Sequence, residues 1–295
     1  MPKLTVLVGP PGSGKSTWAK STECGPPNAQ YVNQDSQGKE GHMETFNRAL
    51  AAKEDIVVDR MGFSRDQRRR YLEPAKQVGY QTEIVVLHQP YDVCLERMKQ
   101  RQSHPTIKDE ETAKKALHFF FTKHERVEEP EADTVTRIWP DGEKLPAIIC
   151  DLDGTLCDCE HRRHHVRKPD GQRKDWRSFF LEMSKDPVIW PVHAILHRFQ
   201  SDDIHAMNIV FCSGRPEDYR ELTKTWLKET GLHYSALYMR SAKDSRQDDI
   251  VKEILLDFEI LTRFKPYFIL DDRDQVVRMW RKRGFTCLQC AEGNF

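Results

Sequence analysis

Two stretches of this chain have the residue types and spacing that chemistry on phosphate requires. The first is Gly9-Pro10-Pro11-Gly12-Ser13-Gly14-Lys15-Ser16-Thr17, which fits G-x-x-x-x-G-K-[ST]. Glycines at these positions let backbone N–H groups turn inward around phosphate oxygens, and a helix that follows favours the anion. Lys15 would meet the β/γ-phosphates and Ser16 a Mg²⁺ ion. Gly12, Ser13, Gly14 and Thr17 complete the cradle, so ATP and Mg²⁺ are the cofactors implied. The second stretch is Asp151-Leu152-Asp153-Gly154-Thr155. Two carboxylates this close repel unless a cation joins them or one takes a proton. That suits a Mg²⁺-assisted carboxylate acting on phosphate.

Both stretches need strands to hold them. Leu4 to Val8 precedes the glycine-rich loop, and Ile148-Ile149-Cys150 precedes the paired acids. In open α/β sheets chemistry gathers beyond the carboxyl ends of the strands, where these groups would stand. Other strand-like runs also end in polar residues. Tyr31-Val32-Asn33-Gln34-Asp35 reads as a strand ending in a possible general base, with a helix cap as the equal alternative for Asp35. Ile56-Val57-Val58-Asp59 ends in a candidate substrate contact, and Ile84 to Leu87 is a fourth strand. In the second half, Asn208 to Cys212 leads to Ser213-Gly214-Arg215, whose hydroxyl, backbone and guanidinium suit phosphate. Tyr267 to Leu270 leads to Asp271-Asp272, and Asp248 to Lys252 heads a helix.

Short strands alternating with helices in both halves imply two parallel-sheet α/β domains, 1–140 and 141–295, divided near Pro140-Asp141-Gly142. Arg97 and Arg101 are four apart on one helix face, where they could steady a transferring phosphoryl group or simply be solvated. The cluster Arg65 to Arg70 reads more readily as a solvated helix face than as a backbone-tracking surface. Phe119-Phe120-Phe121 reads as core. A zinc site among Cys157, Cys159 and His161 is disfavoured by the spacing.

Lys+Arg and Asp+Glu both number 46, so no global field draws nucleic acid, and any basic surface must be local. No apolar run approaches a membrane span, no signal peptide is expected, and the scattered cysteines suggest a reducing, cytoplasmic setting.

The order of strand-end groups (DxDGT, Ser213, Lys252, Asp271-Asp272) resembles the four-motif signature of the haloacid-dehalogenase phosphatases. With the glycine-rich loop ahead of it, the chain resembles the bacteriophage-type polynucleotide 5′-kinase/3′-phosphatases over nearly its whole length. Asp271 to Trp280 (DDRDQVVRMW), Asp248 to Glu253 and Gly12 to Trp18 carry the likeness. The resemblance implies a P-loop kinase fold followed by a haloacid-dehalogenase fold. It implies Lys15 and Ser16 on the ATP donor, Asp35 as base toward a 5′-hydroxyl, and Arg97 and Arg101 as the lid pair. It implies Asp151 as nucleophile and Asp153 as general acid/base, both also binding the metal. Asp59, Arg162, Ser213, Gly214, Arg215, Asp248 and Lys252 would bind substrate, and Asp271 and Asp272 would bind metal. RNA or DNA ends, a downstream ligase and a homotetramer are the implied partners. Three departures stand out, one being that the segment between Asp35 and Asp59 is shorter than in the phage family. Gly38 occupies the position of a family arginine three residues after the base, and the segment after DxDGT is lengthened, with Lys174-Asp175-Trp176-Arg177 inside it. Other readings are a small-molecule kinase fused to a small-molecule phosphatase, and an end-binding module with a silent kinase half.

Overall fold

Short runs of β-branched and aliphatic residues set the framework, because a strand covered on both faces must be apolar on both. The computed structural model describes residues 1–21, 28–100, 109–169, 172–200 and 206–293. The chain divides into two compact units, Met1–Gly142 and Glu143–Phe295, and each contains one five-stranded sheet. All pairings within both sheets are parallel, with helices between the strands, so both units are α/β.

In the first unit the strands are β1 (Lys3–Val8), β2 (Gln30–Val32), β3 (Ile56–Val58), β4 (Gln81–Leu87) and β5 (Thr134–Ile138), in the order β2-β3-β1-β4-β5. The helices are α1 (Lys15–Lys20), α2 (Gln34–Ala52), α3 (Arg65–Gln77), α4 (Tyr91–Lys99) and α5 (Glu110–Lys123). Central β1 packs Leu4, Val6 and Val8 against Phe46, Tyr71 and Leu72 on one face; Leu7 joins Val57, Val85 and Trp18 on the other. The glycine-rich loop therefore leaves the middle of the sheet.

Several expectations for this unit change. The second strand stops at Val32, because Asn33 caps α2 by accepting from the Ser36 N–H at 3.0 Å. Asp35 thus lies in the first turn of a helix, exposed, and is not its cap. β5 had no expectation attached to it, since its residues are only half-buried. Arg68 does not lie on a solvated face: it is fully buried, donates to both oxygens of Glu131 at 2.7 and 2.9 Å, and ties α3 to the chain before β5. Phe120 and Phe121 are core, whereas Phe119 is exposed and meets Phe63 edge-on.

In the second unit the strands are β6 (Leu145–Cys150), β7 (Asn208–Pro216), β8 (Ala236–Arg240), β9 (Phe264–Asp271) and β10 (Cys287–Gln289), in the order β10-β9-β6-β7-β8. The helices are α6 (Trp176–Leu181), α7 (Trp190–Gln200), α8 (Arg220–Glu229), α9 (Asp248–Leu255) and α10 (Asp274–Lys282). α10 turns Val276, Val277 and Trp280 inward, one apolar stripe at helical spacing. The buried Trp280 also donates its indole N–H to Asp271 at 3.1 Å, which fixes that carboxylate at the end of β9. β6 lies between β9 and β7, so the ends of three adjacent strands converge on one place.

Candidate active sites

In the first unit Lys15 is buried, with its ammonium 2.8 Å from the carbonyls of Gly9 and Pro10, inside the loop that precedes α1. Ser16 donates to Asp59 at 2.6 Å. Tyr31 and the Asn33 side chain also donate to the same Asp59 oxygen. Asp59 therefore stands beside the phosphate loop and does not face an acceptor freely. A P-loop hydroxyl next to a strand-end acid is the donor pair that P-loop enzymes use for Mg²⁺, so these residues fit that ion. Arg97 lies 3.5 Å from the Gly12 carbonyl and lines a cleft of about 530 Å³ with Ser13, Gly14, Thr17 and Trp18. Arg101 lies outside the described residues.

Asp35 stands near enough to Tyr31 to help raise that phenol's pKa, behind burial and the adjacent Asp59. Three residues on, Gly38 has φ 76° and ψ 176°, which breaks the regular path of α2. A side chain is strained there, so an arginine would need a different backbone at this position. The kink exposes the Gly38 carbonyl to His42, whose Nδ1 lies 2.9 Å away. Since that carbonyl only accepts, Nδ1 donates. Arg60 only donates, so the Tyr71 oxygen accepts from it at 3.0 Å and turns its own proton to His42 Nε2, also at 3.0 Å. A buried relay thus links the kink after Asp35 to Arg60, which follows Asp59.

The second unit holds two adjoining charge clusters. In the first, the buried Lys252 ammonium donates to Asp151 at 2.8 Å and Asp271 at 2.9 Å, and Asp248 lies 3.4 Å away. Asp248 also meets Arg240 at 3.1 Å and Arg273 at 3.8 Å. Asp151, Asp271 and Asp272 place one oxygen each within 4.8 Å of one another. Burial pushes Asp151 well up despite Lys252, with Asp271 adding to the rise; burial and Asp271 push Asp272 up to about 6. One Asp272 oxygen is buried without a hydrogen-bond partner. Asp151, Asp271 and Asp272 together offer only oxygen donors, which fits a hard divalent cation such as Mg²⁺. Gly154 passes this group at φ 93°, and a Cβ there would stand 2.2 Å from Asp272 Oδ2.

In the second cluster Asp153 lies between two buried arginines. Arg215 donates to it through Nε at 3.0 Å and through Nη2 at 2.6 Å, and Arg162 donates through Nη2. Burial alone would raise the Asp153 pKa, but Arg215 and Arg162 hold it well below the usual carboxylate range. This corrects two expectations. Asp153 does not join the metal cluster, because its oxygens are occupied by guanidinium groups. Arg162 and Arg215 are not free phosphate clamps, because they neutralise acids.

The second of those acids is Asp186, which the sequence did not single out. Its side chain is fully buried and accepts from Arg162 Nε at 2.7 Å, Arg215 Nη2 at 3.2 Å and His161 at 2.9 Å. Cys157 touches Asp186 and Arg215, both at 3.2 Å, and offers its sulfur within 4.8 Å of an oxygen of Asp153 and of Asp186. Ser213 is buried, its hydroxyl accepting from the Arg215 N–H, and the Gly214 carbonyl accepts from Arg240 at 2.9 Å.

The family model described as the polynucleotide kinase PNKP phosphatase domain matches residues 145–295, and one described as an AAA domain matches residues 25–121. A relative from Autographa californica nuclear polyhedrosis virus, provisionally named a bifunctional polynucleotide kinase/RNA ligase, is 25% identical over 307 residues. The match takes in 95% of this chain and 41% of that protein, so the chain spans less than half the length of the relative. Among solved structures, a chain of the Pnkp1/Rnl/Hen1 complex is 25% identical, with 100% of this chain and 98% of that one covered at a TM-score of 0.42. Chaetomium thermophilum Kti12 with ADP-AlF3 is 16% identical, with 48% and 91% covered at a TM-score of 0.35. Neither structural likeness carries weight at such scores. The family match, which takes in just over half of the chain and every acid of the two clusters above, means that this chain belongs to the family of the polynucleotide kinase PNKP phosphatase domain.

Proposed function

We propose that the chain heals nucleic-acid ends, transferring the ATP γ-phosphate to a 5′-hydroxyl in its first unit and hydrolysing a 3′-phosphate in its second. The observation that carries this reading is the pair of sites within one chain. One has a buried lysine and a serine–aspartate pair at a P-loop, and the other has Asp151 among metal-binding acids.

In the first unit Lys15 leaves its loop carbonyls for the β/γ-phosphates, and Arg97 faces the same cleft. Asp35 takes the proton of the attacking 5′-hydroxyl. Arg101 completes the lid as an expectation only. In the second unit Asp151 attacks phosphorus, forming an aspartyl-phosphate as the bond to the 3′-oxygen breaks. Asp151, Asp271 and Asp272 would hold Mg²⁺, which supplies charge neutralisation at the phosphoryl oxygens when bound. Lys252 steers Asp151, and Asp248 keeps Lys252 in place.

The departing 3′-oxygen needs a proton, and Asp153 is the group placed to give it. In the free site two guanidinium groups keep Asp153 ionised. A phosphate dianion entering beside Asp153 adds a like charge that favours the protonated carboxyl, so protonation of Asp153 is coupled to substrate entry. In the second half-reaction Asp153 takes a proton from water as water opens the acyl-phosphate. A nucleic-acid ligase acting on the product ends is the proposed downstream partner, and a homo-oligomer is the proposed assembly. None of the helices among the described residues is long and apolar enough to cross a membrane.

The test is a set of RNA and DNA oligonucleotides bearing a 5′-hydroxyl and a 3′-phosphate, incubated with ATP with and without Mg²⁺. Label transfer to the 5′ end and release of 3′-phosphate, both lost to chelation, are expected. Equal or better activity on nucleosides and small phosphate esters would move the reading to a small-molecule kinase–phosphatase.

A further inference from the structure

The chain as a whole is neutral, yet its charge is unevenly placed. Between His161 and Arg177 there are seven lysines and arginines and two aspartates. Arg162 is spent on Asp153 and Asp186 and Arg167 pairs with Glu160, but Lys168, Arg173, Lys174 and Arg177 are exposed. Just after this segment lies an aromatic cluster that is separate from the main core and is built on Phe179, Phe180 and Met183 with Tyr219 beside them. Trp176 tops it. Its ring lies near-parallel to Phe180, 22° between planes and 5.9 Å between centroids, and edge-on to Phe179 at 5.7 Å. The indole is nevertheless 48% exposed, and the Lys174 ammonium lies 5.9 Å from its centroid.

This cluster is coupled to the catalytic acids. The guanidinium of Arg162 lies 4.1 Å from the Phe179 ring centroid and donates to the Phe179 carbonyl at 3.2 Å, while its other end donates to Asp153. Trp176 is thus joined to Asp153 by three successive contacts, through Phe179 and Arg162. A half-exposed indole with the Lys174 ammonium beside it, on a segment that carries further exposed lysines and arginines, has the chemistry that binds single-stranded nucleic acid, through base stacking and phosphate attraction.

We propose that Trp176, with Lys174 and the exposed arginines of this segment, forms a stacking subsite. It would hold a base of the single strand whose 3′-phosphate enters the site of Asp151. The proposal rests on the end-healing reading and adds where the strand lies. Stacking on one aromatic ring corresponds to roughly five- to 150-fold in affinity.

The experiment measures kcat and KM for full-length wild type, Trp176→Ala, Trp176→Leu and Trp176→Phe. The substrates are single-stranded RNA and DNA 3′-phosphates and p-nitrophenyl phosphate, which has no strand to hold. Trp176→Ala and Trp176→Leu are expected to raise KM for the strands roughly five- to 150-fold, leaving kcat and hydrolysis of the aryl phosphate unchanged. Trp176→Phe should recover most of the affinity. The proposal fails if Trp176→Leu matches wild type, or if the variants lose activity equally on strand and aryl phosphate. A wild type that hydrolyses the aryl phosphate but neither strand strikes at the end-healing reading, and the stacking subsite falls with it.

Discussion

Asp186 gives the sharpest test of how the phosphatase site is held. Its carboxylate and that of Asp153 face the guanidinium groups of Arg162 and Arg215, two negative charges against two positive, with the Arg162, Arg215 and Asp186 side chains fully buried. Asp186→Ala leaves two buried guanidinium groups facing a single carboxylate. Breaking a buried ion pair by removing one partner costs about 3–5 kcal/mol. For a unit of this size each kcal/mol moves Tm by about 2–4 °C, so the second unit should melt roughly 6–20 °C lower. Asp186→Asn keeps an acceptor oxygen and the shape while removing the charge, and should fall between wild type and the alanine variant. The assay is calorimetry of the full chain, with 5′-kinase activity at 25 °C as the control for the first unit. Phosphatase turnover should fall with the melting point, because Arg162 and Arg215 lose the group that aims them at Asp153. A melting shift under about 2 °C with normal phosphatase turnover would refute the reasoning, since it would mean that the four charges are not coupled.

Three further outcomes follow from named contacts. Gly154→Ala places a methyl group 2.2 Å from Asp272 Oδ2 at a φ of 93°. It should cost about 1–3 kcal/mol and suppress phosphatase turnover with the kinase intact; unaltered phosphate release would show that Asp272 is dispensable. Asp153→Asn removes the proton carrier but not the nucleophile. Steady turnover should fall by about 10²–10⁴ while an aryl phosphate with a good leaving group still gives a burst of phenol, measured by stopped flow. Absence of any burst would place Asp153 in the first chemical step for every substrate. Tyr71→Phe cuts the relay between His42 and Arg60, leaving a buried ring nitrogen unsatisfied at a cost of about 1–3 kcal/mol. KM for the 5′-hydroxyl strand should rise while KM for ATP holds, and equal changes in both would make the relay purely structural.

What the sequence made legible was the set of positions where a strand stops. The glycine-rich loop, the DxDGT turn, Ser213 and Asp271 all follow short apolar runs, and the periodicity of such runs survives in one dimension. What it hid was pairing across distance. Asp186 sits between a lysine and a proline with no motif around it, and its partners Arg162 and Arg215 are 24 and 29 positions away. For the same reason Arg162 and Arg215 read as phosphate contacts, although their charge is spent on Asp153 and Asp186. Arg68 read as part of a solvated basic run because its partner Glu131 is 63 positions on. Asp35 reads as a strand end because nothing in the sequence shows that Asn33, two residues earlier, caps a helix. Asp59 looked like an acceptor contact because nothing in the sequence shows that Ser16 turns back onto it.

The central claim is that one chain holds two sites acting on opposite ends of a strand, and a reciprocal pair of variants tests it most directly. A single oligonucleotide with a 5′-hydroxyl and a 3′-phosphate is incubated with ATP and Mg²⁺, and both ends are followed in the same reaction. Lys15→Ala should release 3′-phosphate at the wild-type rate and transfer no label to the 5′ end. Asp151→Asn should label the 5′ end normally and leave the 3′-phosphate in place. If either substitution abolishes both reactions in a protein that still folds, or if Asp151→Asn continues to release phosphate, the account of two sites with Asp151 as the nucleophile is wrong.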